Sequence, residues 1–299
     1  MRSPNRTHER QSFFKYTEAA TAIAVLASRT LRWSSPVLFN DPFDVPREMS
    51  FGLTPADIVQ AIARRLADLI DRPPQDTSGL EPRVRVLIDL VKKGISPELR
   101  ADLLDGLKET ASSLRPSGAS MEELRSMWRS WLPDFRILCL TESPAHLAMW
   151  YHYADQYRGV VLEFRCDDEL DSPWLAAKPV TYPIAKPAVY SADGWAGLLM
   201  LQSELSIQTM LDVATYTKAP DWSYEKEWRM TSFKRPTDTG PFTDYKFNAK
   251  ELAAIYLGPM ISPANRNAII ALASGYPDVC VWNISIGMNR ELEFNAVEG

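Results

Sequence analysis

Hydrophobic and polar positions divide the 299 residues into three stretches of different period. In the first, about residues 12 to 50, FFKYT and LRWSS alternate as strands do, and a helical run from about Glu18 to Ser28 lies between them. The turn-rich segment FNDPFD follows. Pro42 fixes its own φ and keeps Asp41 out of the helical region, so this strand-helix-strand unit ends in a rigid polar corner. In the second stretch, about residues 54 to 132, apolar residues recur at helical spacing in TPADIVQAIARRLADLI, EPRVRVLIDLVKK, SPELRADLLDGLKE and SMEELRSMWRSWL. Thr54 as N-cap and Pro55 at the first helical position mark the first of these helices. The third stretch, from about Phe135, is strand-rich. RILCLTE and GVVLEF flank a helix at about Pro144 to Tyr157; PVTYP, a long helix from about Trp195 to Tyr216, EWRMTSF, AAIYLG, a helix in ANRNAIIALASG and VCVWNISI follow.

Strand runs separated by helices predict an α+β fold: a mixed, split β-sheet core with helices packed on it. The chain reads as a single α+β domain, residues 1–299, interrupted by a helical insertion at 54–132. The arginines and lysines of that insertion read as solvated faces of amphipathic helices or as a binding surface.

Composition narrows the function. At 45% hydrophobic and 24% charged, the chain has material for a sizeable core. A formal net charge of -5 argues against broad electrostatic capture of nucleic acid and leaves room only for a local site. Cys139, Cys166 and Cys280 lack zinc-site spacing, and Cys139 and Cys280 stand in apolar runs that predict buried thiols. These features fit a reducing, cytoplasmic location. MRSPNRTHERQSF has no apolar core behind its arginines and does not read as a signal peptide, and no apolar run reaches the roughly 18 residues of a membrane span.

Four segments carry candidate chemistry. Lys15 and Tyr16 end the opening strand before a helix, a common ligand position, although Tyr16 also suits a half-buried strand aromatic. Trp33 to Asp44 gathers Ser34, Ser35, Asn40, Asp41 and Asp44, as a binding loop would, or a structural loop whose Asn and Asp bond their own backbone. Helical spacing brings His152 and Tyr153 close to Met149 and Trp150; His152 is a candidate general base or a hydrogen-bonded structural histidine. No His-x3-His pair supports a metal. In DWSYEKEWRMTSF, an extended backbone would point Glu225 and Glu227 to one side, with Arg229 close by. Glu-Lys-Glu suits an acid-x-Lys nuclease poorly. Paired carboxylates suit the stabilisation of positive charge growing on a sugar carbon.

Together, Lys15-Tyr16, Trp33 to Asp44 with FNDPFD, Cys139 to Gly159 with MWxHYA, and Tyr224 to Arg229 with YExEWR resemble a bacterial family known only as a domain of unknown function. More distantly, residues 13 to 35 resemble the start of ADP-ribosyltransferases, DNA-targeting toxins included; Glu225-Lys226-Glu227 is similar to their Glu-x-Glu turn and Ser34-Ser35 to their serine motif. Lys15 stands where that pattern has histidine or arginine, and Ser34-Ser35-Pro36 is not a full Ser-Thr-Ser. The resemblance implies NAD as cofactor and a cleft holding Lys15, Tyr16, Ser34, Asn40, Asp41, Tyr153 and Arg229. Glu227 is then the catalytic acid, Glu225 orients the acceptor, and His152 is the third catalytic candidate. Its implied partners are a small-molecule nucleotide and a nucleic-acid or protein acceptor; the implied role is a bacterial toxin or phage-defence effector. Two rivals stand: a non-catalytic nucleotide- or partner-binding protein in which Asp41, Glu227 and Arg229 lock the sheet, and a metal nuclease using Asp41, Glu163 and Glu225.

Overall fold

The computed structural model describes residues 2–47, 53–113, 119–185, 191–201 and 203–297. Its elements begin with β1 (Ser12–Thr17), α1 (Ala19–Ser28) and β2 (Thr30–Ser34), then the helices α2 (Pro55–Asp71), α3 (Pro82–Lys92), α4 (Pro97–Ser113) and α5 (Ala119–Trp131). The chain continues through β3 (Phe135–Leu140), α6 (Leu147–Tyr153), β4 (Val160–Arg165) and β5 (Lys178–Pro179). After α7 (Ala192–Leu199) and α8 (Ser203–Tyr216) come β6 (Trp228–Phe233), β7 (Phe242–Lys246), β8 (Leu252–Leu257), α9 (Pro263–Ala273), β9 (Cys280–Ile286) and β10 (Leu292–Ala296). The fold is α+β, with two five-stranded sheets.

Two compact units emerge: one of Met1–Asp41, Leu132–Tyr182 and Lys218–Gly299, the other of Pro42–Trp131 and Pro183–Thr217. Both sheets belong to the first. One, in the order β1-β4-β8-β9-β10, is mixed: β8 and β9 run parallel, joined through α9, and the other neighbours are antiparallel. The other, β5-β6-β3-β2-β7, is antiparallel throughout. The sheets meet where Phe14 and Thr141 exchange backbone hydrogen bonds of 3.0 and 2.9 Å.

Side-chain alternation assigns each strand face to a core. Phe13 of β1 joins Val160, Leu162, Phe164, Leu138 and Met230 with residues of α1 and α9, a core shared by the two sheets. Phe14 and Tyr16 point the other way, onto Met149 and Trp150 of α6. In the second unit, α2 starts with a capping box: Thr54 Oγ1 accepts from the Asp57 amide and the Asp57 carboxylate accepts from the Thr54 amide at 2.8 Å. This helix buries Ile58, Ala61 and Ile70, and Arg64 pairs with Asp193 at the start of α7.

Three local expectations are corrected. The helix expected from Trp195 to Tyr216 is two, α7 and α8, because the chain leaves α7 at Met200 and Leu201 bridges to Leu80. The helix expected to reach Tyr157 stops at Tyr153: Asp155, Gln156 and Tyr157 all have left-handed φ, at 46, 49 and 70°. That turn brings Gly159 so close to β1 that a Cβ there would lie 2.2 Å from the Thr17 carbonyl, a contact only glycine avoids. Cys280, expected to be buried, is exposed at the start of β9. The strands β7 and β10 were not anticipated. Among the described residues, no helix is long and apolar enough to cross a membrane.

Candidate functional site

The segment that carries both glutamates is not extended. Pro220–Glu225 forms a 3₁₀ turn, Lys226 sits in the left-handed region at φ 44°, and β6 begins only at Trp228. The two carboxylates nevertheless converge, because a left-handed residue between them turns the chain so that Glu225 and Glu227 both face inward and Lys226 stays exposed. An L-residue in that conformation costs on the order of 1 kcal/mol. The pairing of Glu225 and Glu227 with one cation offsets it.

That cation is Lys218. Its Nζ donates to Glu225 Oε2 at 2.6 Å and lies 3.4 Å from Glu227 Oε2, and 4.8 Å from the centre of the Trp222 ring. Arg229, fully buried on β6, clamps Glu227 with two bonds: Nε to Oε1 at 2.8 Å and Nη2 to Oε2 at 2.9 Å. At the other end, the Tyr153 hydroxyl of α6 donates to Glu225 Oε1 at 2.5 Å. Two acids and two bases thus form one buried chain, Tyr153–Glu225–Lys218–Glu227–Arg229, in which Glu225 is 3% and Glu227 5% exposed. Each ion is paired, the condition under which buried charge is tolerated.

Backbone contacts hold the chain in place. The Glu227 amide donates to Tyr182 Oη at 2.9 Å, and its carbonyl accepts from the Val180 amide at 2.8 Å. Thr141, where the sheets meet, donates its hydroxyl to the Glu225 carbonyl at 2.5 Å. Lys15 Nζ donates to the Cys139 carbonyl at 2.9 Å.

The two carboxylates have opposite proton affinities. Desolvation alone would raise Glu227, but the Arg229 charge and its paired hydrogen bonds outweigh it and hold the carboxyl at about 2. For Glu225, desolvation followed by repulsion from Glu227 outweighs Lys218 and Tyr153, and its pKa is raised. Burial, then the Glu225 charge, raises the Tyr153 phenol; burial, then Glu227, raises the Cys139 thiol. Cys139 is therefore a thiol rather than a thiolate nucleophile.

Rings surround the Glu225 end. Tyr224 lies 5.3 Å from His146, stacked at 25°, 6.4 Å from His152 and 6.0 Å from Trp222. His152 is exposed, and Tyr224, His146 and Trp222 are half-buried. Tyr16, by contrast, is buried: its ring packs on Trp150, while its hydroxyl donates to the Ser143 carbonyl and accepts from the His146 amide. Ser34 lies within β2, paired with Ile137 and Phe242, and its neighbour Ser35 is fully buried, donating to the Leu132 carbonyl. Exposed Asn40 accepts from the Asp41 amide at 3.1 Å, and the Arg229 guanidinium lies 5.6 Å from the Phe39 ring.

Of the candidates named from sequence, Glu225, Glu227, Arg229 and Tyr153 belong to the buried chain and His152 to the rings at its rim, whereas Lys218 and Tyr182 were missed. No spacing rule announces Lys218, since its proximity depends on the turn that follows Pro220. Among the described residues, no three His, Cys, Asp or Glu side chains gather as a metal site would require. Glu163 instead accepts from the Tyr256 hydroxyl at 2.6 Å.

No curated protein and no solved structure matches the chain. The MWxHYA motif and the YExEWR motif fall within one matched region, while FNDPFD lies outside it. Residues 149–230, from within α6 through the Lys218 turn to the start of β6, match the family described as "Protein of unknown function (DUF2971)".

Proposed function

We propose that the protein is an NAD-consuming enzyme of the ADP-ribosyltransferase type, acting at the anomeric carbon of the nicotinamide ribose. One observation carries this reading: two carboxylates of opposite proton affinity share a single ammonium, and the more basic one, Glu225, is bonded to half-buried Tyr153 at a ring-lined surface. Pairs of titratable groups whose surroundings push them apart are typical of acid–base sites.

In this reading the roles differ from the sequence expectation. Arg229 engages both oxygens of Glu227, which suits a fixed negative charge that positions Lys218. Glu225 is the better catalytic group. As the bond between C1′ and the nicotinamide nitrogen breaks, its electron pair leaves with nicotinamide and neutralises the ring's positive charge. An acceptor oxygen, from water or a macromolecule, then bonds to C1′ and surrenders its proton to Glu225. The carboxylate also stabilises the cationic sugar while it forms.

A bacterial toxin or phage-defence effector would use this chemistry in the cytoplasm on a nucleic-acid or protein acceptor. The test is release of free nicotinamide from NAD by wild-type protein, compared with Glu225→Gln and Tyr153→Phe. Loss of release in Glu225→Gln, with the variant still folded at the assay temperature, supports the reading; unaltered release removes Glu225 from the mechanism.

A second reading, a non-catalytic binding protein, draws on the completeness of the Glu227–Arg229 clamp. Buried and doubly bonded, that pair suits a fixed structural element at the start of β6. NAD binding by calorimetry without nicotinamide release favours this alternative.

A further inference from the structure

The rings around Tyr224 and the exposed ammonium of Lys226 stand beside the buried acids without being part of their hydrogen-bonded chain. Tyr224 has His146 stacked against it, with His152 and Trp222 on its flanks, so several π-faces are grouped at a partly open surface. His146 Nδ1 is shielded from solvent and has no hydrogen-bond partner among the described residues, an unsatisfied polar atom at the edge of this group. The pKa of His146 is lowered, by desolvation and then by the nearby Lys226 charge, which favours the neutral ring. The left-handed φ of Lys226 that turns the two glutamates inward leaves that residue exposed, with its charge felt at the His146 ring.

Planar π-faces favour a base, an unpaired ammonium favours a phosphate, and the two lie on consecutive parts of one turn. We propose that this surface binds a mononucleotide unit, its base against the rings around Tyr224 and its phosphate on Lys226. The inference rests on the reading of Glu225 as the acid at a ribose: a base on Tyr224 would leave its ribose on the Tyr153 side of the surface. It adds which groups recognise the substrate and that the recognised half carries both a ring and a phosphate. The chain's net charge of -5 favours a small nucleotide over a polynucleotide.

The experiment measures binding of nicotinamide mononucleotide, AMP and nicotinamide riboside by calorimetry to wild type, Tyr224→Ala, Tyr224→Phe and Lys226→Gly. The wild type binds at least one of the two mononucleotides. Tyr224→Ala weakens that binding about tenfold, the scale of one lost stacking contact, while Tyr224→Phe stays within about threefold. Lys226→Gly weakens the mononucleotide about fivefold and leaves the riboside unchanged, because only the phosphate is lost as a partner. Unchanged affinity in a folded Tyr224→Ala overturns the proposal, as does no mononucleotide binding, or tighter binding of a single-stranded oligonucleotide. Mononucleotide binding with these variant effects, but without nicotinamide release from NAD, upholds the surface and removes the enzymatic reading. Nicotinamide release with an NAD KM that neither Tyr224→Ala nor Lys226→Gly changes upholds the enzyme and removes the surface.

Discussion

Glu225 and Glu227 are two residues apart, equally buried and paired with the same lysine, yet their surroundings treat them in opposite ways. Glu227 has a guanidinium clamped on both oxygens. Glu225 has an ammonium on one oxygen and a phenol on the other, with half-buried rings beyond. The difference lies in the partners: a bidentate arginine holds its proton permanently and fits both oxygens, whereas a tyrosine hydroxyl adds a hydrogen bond but no charge. One end of the cluster is held ionised, and the other binds its proton more tightly.

The widest gap between the two ends should be seen in stability. Glu227→Ala removes both carboxylate bonds from buried Arg229 and one acidic partner from Lys218, and is expected to cost about 3–5 kcal/mol in urea unfolding. Glu225→Gln keeps the size of the side chain and its bond to Tyr153, leaves Lys218 with Glu227, and should cost about 1–3 kcal/mol. Equal costs would mean that the two acids are one structural unit. A control outside the cluster is Gly159→Ala, whose new Cβ collides with the Thr17 carbonyl; about 2–3 kcal/mol is expected for such overpacking.

The pH dependence sharpens the comparison. Glu227 is held at about 2, below its ordinary 4.5, so its stabilisation is present above pH 4.5 and is lost as pH falls from 4.5 towards 2. Glu225 is raised, so its contribution is full below 4.5 and is lost as pH rises through its folded value. Thermal midpoints across this range should show a flattened acid limb in Glu227→Gln, and no loss of that limb in Glu225→Gln. The smallest effect concerns the turn itself. Lys226→Gly relieves the left-handed strain and should raise stability by about 1 kcal/mol in the same urea assay; a drop would mean that Lys226 makes a stabilising contact.

How much of this was legible beforehand depends on the range of the interaction. Periodicity found β1, α1, β2 and α2, because their cores are set by local alternation and by the Thr54 cap. It made one helix of α7 and α8, whose separation depends on a bridge between Leu201 and Leu80, far apart in sequence. The convergence of Glu225 and Glu227 was expected from strand alternation and arises instead from a left-handed Lys226, a conformation that a lysine does not advertise. Lys218 went unseen because Pro220 and the 3₁₀ turn bring it back onto Glu225. The ring of Tyr16, a candidate for the ligand position or for a half-buried strand aromatic, is buried on Trp150 because β1 turns that face towards α6.

The most direct test of the account is a carbon-13 NMR titration of the glutamate carboxyl groups, with the Glu225 and Glu227 signals assigned from Glu225→Gln and Glu227→Gln. The account predicts that Glu227 titrates well below the usual glutamate range and Glu225 above it. Both carboxyls titrating together near 4.5, or in the reverse order, would contradict the division of labour between the two ends of the cluster.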